Sequence, residues 1–178
     1  MNNVVLGLVK KIQQVVVLLC CVLLVACTEP LSIIKPLDVS KVDQVVSSEF
    51  EVKKAEGYRA ALNFIIERGE FGAVGQLSQE QEDELWGNSN KPGTLIPVKF
   101  KLLRDGEVFF DQEIVTDGIC CYQRYEHEGE MFIARVRVVW FFFLQPGKYQ
   151  LELRTLEGFE KFRGIETYME FSRFSPKH

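Results

Sequence analysis

The residues best suited to covalent chemistry are the cysteines and histidines, of which the chain has five and two. Cys120 and Cys121 are adjacent and His127 follows shortly after, so this segment alone could supply a cysteine–histidine pair for acyl transfer. Glu126 and Glu128 flank that histidine, which favours a solvated loop over a catalytic site. A hydrolase that uses His127 is therefore the weakest of our functional hypotheses, and we predict no catalytic residue.

The adjacent cysteines leave three interpretations open. Two ordinary thiols in a turn or at a strand end are favoured over a disulfide between neighbours, which requires strained geometry. Pairing with another molecule or with a metal is the third. Metal binding is disfavoured because His127 and His178 are the only histidines and no second cysteine pair follows. Because the sequence also has none of the common nucleotide, zinc or calcium motifs, it predicts no cofactor or metal site.

A different cysteine, Cys27, ends the most apolar segment of the chain. Lys10 and Lys11 precede about a dozen apolar residues, and the small residue Ala26 stands directly before the cysteine. This order of basic, apolar and small residues is typical of a secretory signal, and the apolar run is too short to favour a spanning helix. An uncleaved membrane anchor is the alternative. The pattern predicts that residues 1–26 are a signal peptide.

The four residues from Leu24 to Cys27 resemble a bacterial lipobox. The resemblance implies cleavage before Cys27 and attachment of two or three acyl chains to it. At about 0.8 kcal/mol per buried CH₂, more than one chain makes membrane attachment stable. Thr28 rather than an aspartate follows, which in such bacteria implies transfer to the outer membrane. The resemblance thus implies a lipoprotein that is anchored in the outer membrane and faces the periplasm.

Composition limits what the rest of the chain can do. About 150 residues remain after the signal, enough for one domain with its own core. The formal net charge is −4 and no basic run is longer than Lys53-Lys54, which argues against nucleic acid as a partner. The 14 Phe, 5 Tyr and 2 Trp favour a β-rich domain, because aromatic rings suit half-buried pleated surfaces.

Alternation of apolar and polar residues predicts antiparallel strands along most of the domain. Residues 45–53 and 58–67 are interpreted as one hairpin, and 98–115 as another that turns at Asp105-Gly106. Residues 131–144 are predicted as a central strand, covered on both faces at its apolar end, with Arg135 and Arg137 facing outward. Further strands are predicted over 149–154 and 165–174, and loops over 68–75, 87–97 and 116–129.

One short helix is predicted at Ser78–Trp86, because Ser78 and Gln81 have the spacing of a capping box. Many short strands with one helix predict an antiparallel two-sheet β-sandwich of the immunoglobulin-like type over residues 42–178. Residues 27–41 are interpreted as the lipidated cysteine and a tether, whose apolar second half packs onto the domain.

Aromatic side chains carry the remaining functional signal. Trp86, Phe109 and Tyr168 are the candidates for a surface that binds a ligand or a partner, since rings can stack on sugars or fill pockets in proteins. Coverage of a sheet face is the alternative role for the same rings.

Four segments, FEVKKAEGY, IPVKFKLL, LQPGKYQLELRT and FRGIETYMEF, resemble in this order an uncharacterised domain family of small lipoproteins from Gram-negative bacteria. The resemblance supplies no active site. We therefore expect a non-enzymatic interaction module that binds a periplasmic protein, for example an immunity or protective lipoprotein. A module for glycans or other cell-wall ligands is the second hypothesis.

Overall fold

We analysed a computed structural model of the chain, which describes residues 31–68, 72–73, 77–88 and 90–175. The predicted signal peptide, residues 1–26, and the predicted lipid attachment at Cys27 lie outside these residues. Within the described part of the chain, no helix is both long and apolar enough to cross a membrane.

Antiparallel strands make up most of the described chain. They are β1 Ser32–Pro36, β2 Val45–Val52, β3 Glu56–Arg68, β4 Gly72–Ala73, β5 Gly87–Asn88, β6 Lys91–Pro92, β7 Ile96–Arg104, β8 Glu107–Thr116, β9 Cys121–His127, β10 Glu130–Leu144, β11 Gly147–Thr155 and β12 Thr167–Arg173. The described residues also include one α-helix, α1, at Gln79–Trp86, and one 3₁₀ turn at Glu160–Phe162.

The strands form two main sheets. Sheet A has the order β1-β12-β3-β10-β9, with β4 paired to β3, and sheet B has the order β2-β11-β7-β8; β5 and β6 form a two-stranded ribbon. We call the face of sheet A that meets sheet B its inner face and the opposite one its outer face. Phe64 and Phe171 from sheet A share one buried cluster with Phe100 and Leu151 from sheet B. The predicted antiparallel two-sheet arrangement with one short helix is confirmed.

Local sequence signals place several elements correctly. The β7–β8 hairpin turns at Asp105-Gly106, where φ is 51° and 89°, as a type I′ turn requires. Ser78 accepts a hydrogen bond from the backbone N–H of Gln81, and the Gln81 side chain accepts one from the backbone N–H of Ser78, which completes the predicted capping box of α1. Gly87 ends α1 with a φ of 83°, and a Cβ there would lie 2.4 Å from the backbone nitrogen of Gly93.

Two predicted connections are wrong. Strands β2 and β3 do not form a hairpin, because β2 pairs with β11 in sheet B while β3 pairs with β10 and β12 in sheet A. The predicted loop over 116–129 contains β9, which forms a second tight hairpin with β10 through Glu128 and Gly129. Its polar side chains lie on an edge strand, where one face and one edge can meet water.

The segment interpreted as a tether contains regular structure among its described residues. Part of the segment interpreted as a tether is strand β1, which pairs antiparallel with β12 so that Ser32 lies opposite Ser172 and Pro36 opposite Tyr168. In the second half of this segment, Leu37 and Val39 are buried in the core cluster, as its apolar residues suggested.

Strand β10 differs most from its prediction. Strand β9 pairs only with the stretch from Glu130 to Val136, so the remainder of β10 has β3 on one side and an open edge on the other. The aromatic side chains of this second half were expected to be covered on both faces. Instead Trp140, Phe141 and Phe143 are 46%, 51% and 65% exposed.

Arg137, predicted to face outward, is completely buried. Its guanidinium donates short hydrogen bonds to the carbonyl oxygens of Leu85, in the last turn of α1, and of Thr94. The charge also lies 5.6 to 5.9 Å from the ring centres of Phe64, Trp86 and Phe162. Burial lowers the pKa of Arg137 to about 10, so the side chain stays protonated at neutral pH. A buried cation thus holds the end of α1 against sheet A.

We expect Arg137→Met to lower the free energy of unfolding by about 3 kcal/mol, because two buried carbonyl groups lose their donor. The measurement is urea unfolding of the purified protein. Arg124→Met is the matched control, because Arg124 is exposed on the neighbouring strand β9 and its replacement should change stability by about 0.5 kcal/mol or less. Equal effects of the two substitutions would contradict the anchoring role of Arg137.

Candidate functional site

A cleft of about 710 Å³ opens beside the C-terminal end of α1. One wall is the turn from Trp86 through the β5–β6 ribbon to Pro92, and the other is the segment from Asp117 to Tyr122 that leads into β9. Arg135 of β10 also lines it. We call this feature the helix cleft. It is a candidate site because a concave surface of this size, with a few polar groups on its walls, is typical of ligand sites.

The helix cleft presents hydrogen-bond donors and an aromatic rim. The guanidinium of Arg135 pairs with Glu82 of α1 at 2.9 Å and lies between two rings, 5.2 Å from the centre of Trp86 and 5.5 Å from that of Tyr122. The ring of Tyr122 is 62% exposed. Two buried donors, Nε1 of Trp86 and Nε of Arg135, have no acceptor among the described residues. Because these two donors are buried, the polar groups that a ligand in the cleft can reach are mainly those of the exposed side chains Asn88, Asn90 and Lys91.

Cys120 and Cys121 lie on the wall of the helix cleft as free cysteines, with their sulfur atoms 2.6 Å apart. Burial, together with the hydrogen bond with Cys121, raises the pKa of Cys120 to about 12. Because the thiolate is the nucleophilic form, this cysteine is protonated and unreactive at neutral pH.

His127 lies at the far end of β9 from the cysteines. Cys121 pairs with Val136 and His127 with Glu130, so six residues of extended strand, about 20 Å, separate the two side chains. The imidazole instead packs against Tyr168, with ring centres 5.6 Å apart. The structure therefore does not bring together the cysteine–histidine pair that the hydrolase hypothesis requires. Among the described residues, no group of three metal-ligating side chains comes together either.

A second polar cluster is buried on the outer face of sheet A. Glu170 of β12 accepts hydrogen bonds from Arg59 at 3.2 Å, Asn63 at 2.7 Å, Gln123 at 3.3 Å and Ser172 at 2.5 Å. Burial alone would raise the pKa of Glu170, but the bonds from Ser172 and Asn63 and the charge of Arg59 outweigh it, so the pKa lies below its usual value. Because its partners come from β3, β9 and β12, this carboxylate joins three strands.

The three aromatic residues predicted to form one binding surface lie in three separate places. Trp86 is only 4% exposed, since it packs at 5.0 Å against Phe64 on the inner face of sheet A. Tyr168 is 8% exposed and lies in a cluster with Phe132 on the outer face. Phe109 is 47% exposed on β8. Trp86 and Tyr168 are therefore unavailable as stacking platforms, and the three residues do not form one surface.

The exposed aromatic surface lies instead at the open end of β10. Phe141 and Phe143 are on the outer face of sheet A, where Phe141 packs at 4.9 Å against Phe174. Trp140 points to the other side of the strand and packs at 5.5 Å against Phe110 of β8. We call Trp140, Phe141 and Phe143 the aromatic patch. The unbroken aromatic run in the sequence was the signal for it, but it was interpreted as a covered strand.

Comparison with known proteins identifies the family but no activity. Residues 34–173 match the family described as "Domain of unknown function (DUF5625)". The match spans most of the chain, which therefore belongs to this family, and the predicted resemblance to an uncharacterised domain family is confirmed. A search of curated proteins gave no match.

A crystal structure of a protein from Sulfurospirillum deleyianum is similar in fold, with a TM-score of 0.55. The sequences are 16% identical, and the alignment covers 83% of this chain and all of the other. At this identity the likeness concerns the fold alone. Neither the family nor this neighbour indicates catalysis.

The buried carboxylate generates a prediction about pH. Because the pKa of Glu170 is lower in the folded protein than in the unfolded chain, its contribution to stability is present above the unfolded pKa and is lost as the pH falls through the folded pKa. We expect Glu170→Gln to lower the free energy of unfolding by roughly 3 kcal/mol at pH 7, where Arg59 loses its buried partner, and by less at acidic pH.

The measurement is urea unfolding of both proteins at several pH values between 7 and 3. Glu126→Gln, an exposed carboxylate on β9, is the control. A difference between Glu170→Gln and the parent protein that stays constant over this range would contradict the assignment.

Proposed function

We propose that this chain is a lipid-anchored, periplasm-facing protein that acts by binding a partner and not by catalysis. Its N-terminus supports the anchor, since the basic, apolar and small-residue regions end at Cys27 in a sequence that resembles a lipobox. Thr28 at the next position supports sorting to the outer membrane. An immunity or protective role against a periplasmic protein fits such an anchored binding module.

The first test of this proposal is acylation. We expect Cys27→Ser to abolish incorporation of labelled fatty acid in cells, because no other residue of the lipobox-like sequence can carry the thioether-linked lipid. Cys120→Ser, which removes a cysteine from the helix cleft, is the matched control and should keep the label. Persistent labelling of the Cys27→Ser protein would exclude lipidation at this position.

The observation that carries the binding role is the helix cleft, with Arg135 and the exposed ring of Tyr122 on its walls. Arg135 is held in place by Glu82 and by the rings of Trp86 and Tyr122, so its charge is oriented before any ligand arrives. Arginine and tyrosine are both enriched among the residues that carry most of the binding energy of protein interfaces. An acidic or otherwise acceptor-bearing segment of a periplasmic protein would pair with Arg135 and cover Tyr122.

A site-specific crosslink tests this binding site. A photoreactive phenylalanine analogue placed at Tyr122 should form an adduct with a protein partner in intact cells, and Arg135→Gln should reduce the yield of that adduct by about tenfold or more, the effect of losing a charge-assisted hydrogen bond. The analogue placed at Val45, exposed on β2 of sheet B, is the control position and should give no such adduct.

Adducts of equal yield from both positions, or adducts that do not depend on Arg135, would contradict a specific site at the helix cleft. A glycan is the second candidate ligand, because the exposed ring of Tyr122 could stack on a sugar. Retention on isolated cell-wall glycan that is lost in Tyr122→Ser, without any protein adduct, would favour that candidate.

A further inference from the structure

The aromatic patch lies at the end of sheet A where the chain enters the fold. Across the sheet, the backbone N–H of Arg173 donates to Leu31 at 3.1 Å and that of Phe174 donates to Gly57 at 2.8 Å, while Gly57 lies opposite Phe143. Leu31, Phe174, Gly57 and Phe143 therefore lie within about one residue of the same level along the strands. The entry point of the chain and the exposed rings share one end of one sheet.

The distances between these features are short. Three strand spacings separate β1 from β10 in the order β1-β12-β3-β10, which amounts to about 14 Å. Leu31 is four positions after Cys27, so the chain between their Cα atoms can span at most about 14 Å. An acylated Cys27 would consequently keep this end of sheet A close to the lipid surface.

The chemistry of this end suits the boundary between lipid and water. Phe143 is 65% exposed and Phe141 51%, and Trp140 on the other side of the strand is 46% exposed, so both faces of the strand end carry aromatic rings. Tryptophan and phenylalanine are favoured at membrane interfaces. Lys53 and Lys54, in the link between β2 and β3, are exposed at the same end, where their side chains can reach lipid headgroups.

A bilayer explains this surface better than an added strand does. A strand paired to the open edge of β10 would use its backbone groups but would leave the rings of Phe141 and Phe143 on the outer face. Glu56, which lies opposite Leu144, is ion-paired with Arg173 at 3.0 Å, so this carboxylate does not present an unpaired negative charge to the membrane.

We propose that the aromatic patch inserts into the interfacial layer of the membrane to which Cys27 is attached and so fixes the orientation of the domain. This inference rests on the lipid anchor of the proposed function. Two contacts, the acyl chains and the rings, would then define how the domain stands on the bilayer. The helix cleft is lined by Cys121 and Arg135, which lie five or more residues along the strands from the aromatic patch. It would therefore face away from the lipid.

The two tryptophans of the chain provide a direct test. The acylated protein is reconstituted into phosphatidylcholine vesicles with and without brominated acyl chains, which quench only fluorophores in contact with the lipid. We expect the brominated vesicles to reduce the fluorescence of the parent protein and not that of Trp140→Phe, because the remaining Trp86 is 4% exposed. Trp140→Phe keeps an aromatic ring against Phe110, so its fold should be retained.

A second variant separates insertion from attachment. Phe141→Ser combined with Phe143→Ser keeps Trp140 as the reporter and should lose at least half of the quenching, while the acyl chains still carry the protein to the top of a flotation gradient. The exposed pair Val45→Ser and Val115→Ser, at the ends of β2 and β8 that lie away from the aromatic patch, is the matched control and should keep the quenching.

The outcomes are distinct. An acylated protein that floats with the vesicles but whose Trp140 is not quenched would overturn the insertion and leave the anchor intact. The same result together with a dimer in crosslinking would assign the patch to a second copy of the chain, which also overturns it. A chain without acyl groups on Cys27, established by intact mass, would instead overturn the proposed anchor.

Discussion

The buried guanidinium of Arg137 is the interaction on which the rest of this fold depends. A charged group in the core is costly unless its donors are used, and here they meet carbonyl groups that the end of α1 and the following turn would otherwise leave unpaired. The helix dipole favours a cation at this end as well. Because α1 is held there, Trp86 packs under the inner face and Arg135 is oriented in the helix cleft. One cation thus connects the core to the candidate site.

Local signals predicted the elements they specify. The Asp105-Gly106 turn and the capping box at Ser78 each depend on contacts within a few residues. Their sequence patterns are therefore enough to predict the hairpin turn and the helix start. Pairing between distant strands has no such signal. Strands β2 and β3 are neighbours in the chain with a short link, yet they belong to different sheets, and only their partners β10 and β11 decide this. The alternation of apolar and polar residues in the first half of β10 was predicted correctly. The sequence did not show that α1 covers the face with Arg135 and Arg137, so Arg137 was predicted to be exposed to solvent.

The candidate site was harder to predict than the fold. The exposure of an aromatic ring depends on which neighbouring elements cover it. Strand β9 pairs with β10 only as far as Val136, which leaves the second half of β10 without a neighbour on that side. No residue in the second half of β10 indicates that β9 is this short. Trp86 was chosen by residue type and Tyr168 by its outward position in a predicted strand, and neither criterion reveals that Phe64 packs against the first and Phe132 against the second. The helix cleft combines residues from a helix end, a turn and two strands, so only the tertiary structure reveals it.

Strand β1 also has a consequence for how the protein is made. Among the described strands it pairs with β12, the last of them, so β1 lacks this ladder partner until nearly the whole chain is present. Strands β2 and β3 likewise wait for β10 and β11. Folds dominated by such distant pairings form slowly because long loops must close before their contacts are gained. A nascent chain with this topology can form the β7–β8 hairpin early, but it cannot complete either main sheet until its C-terminal strands β11 and β12 are present.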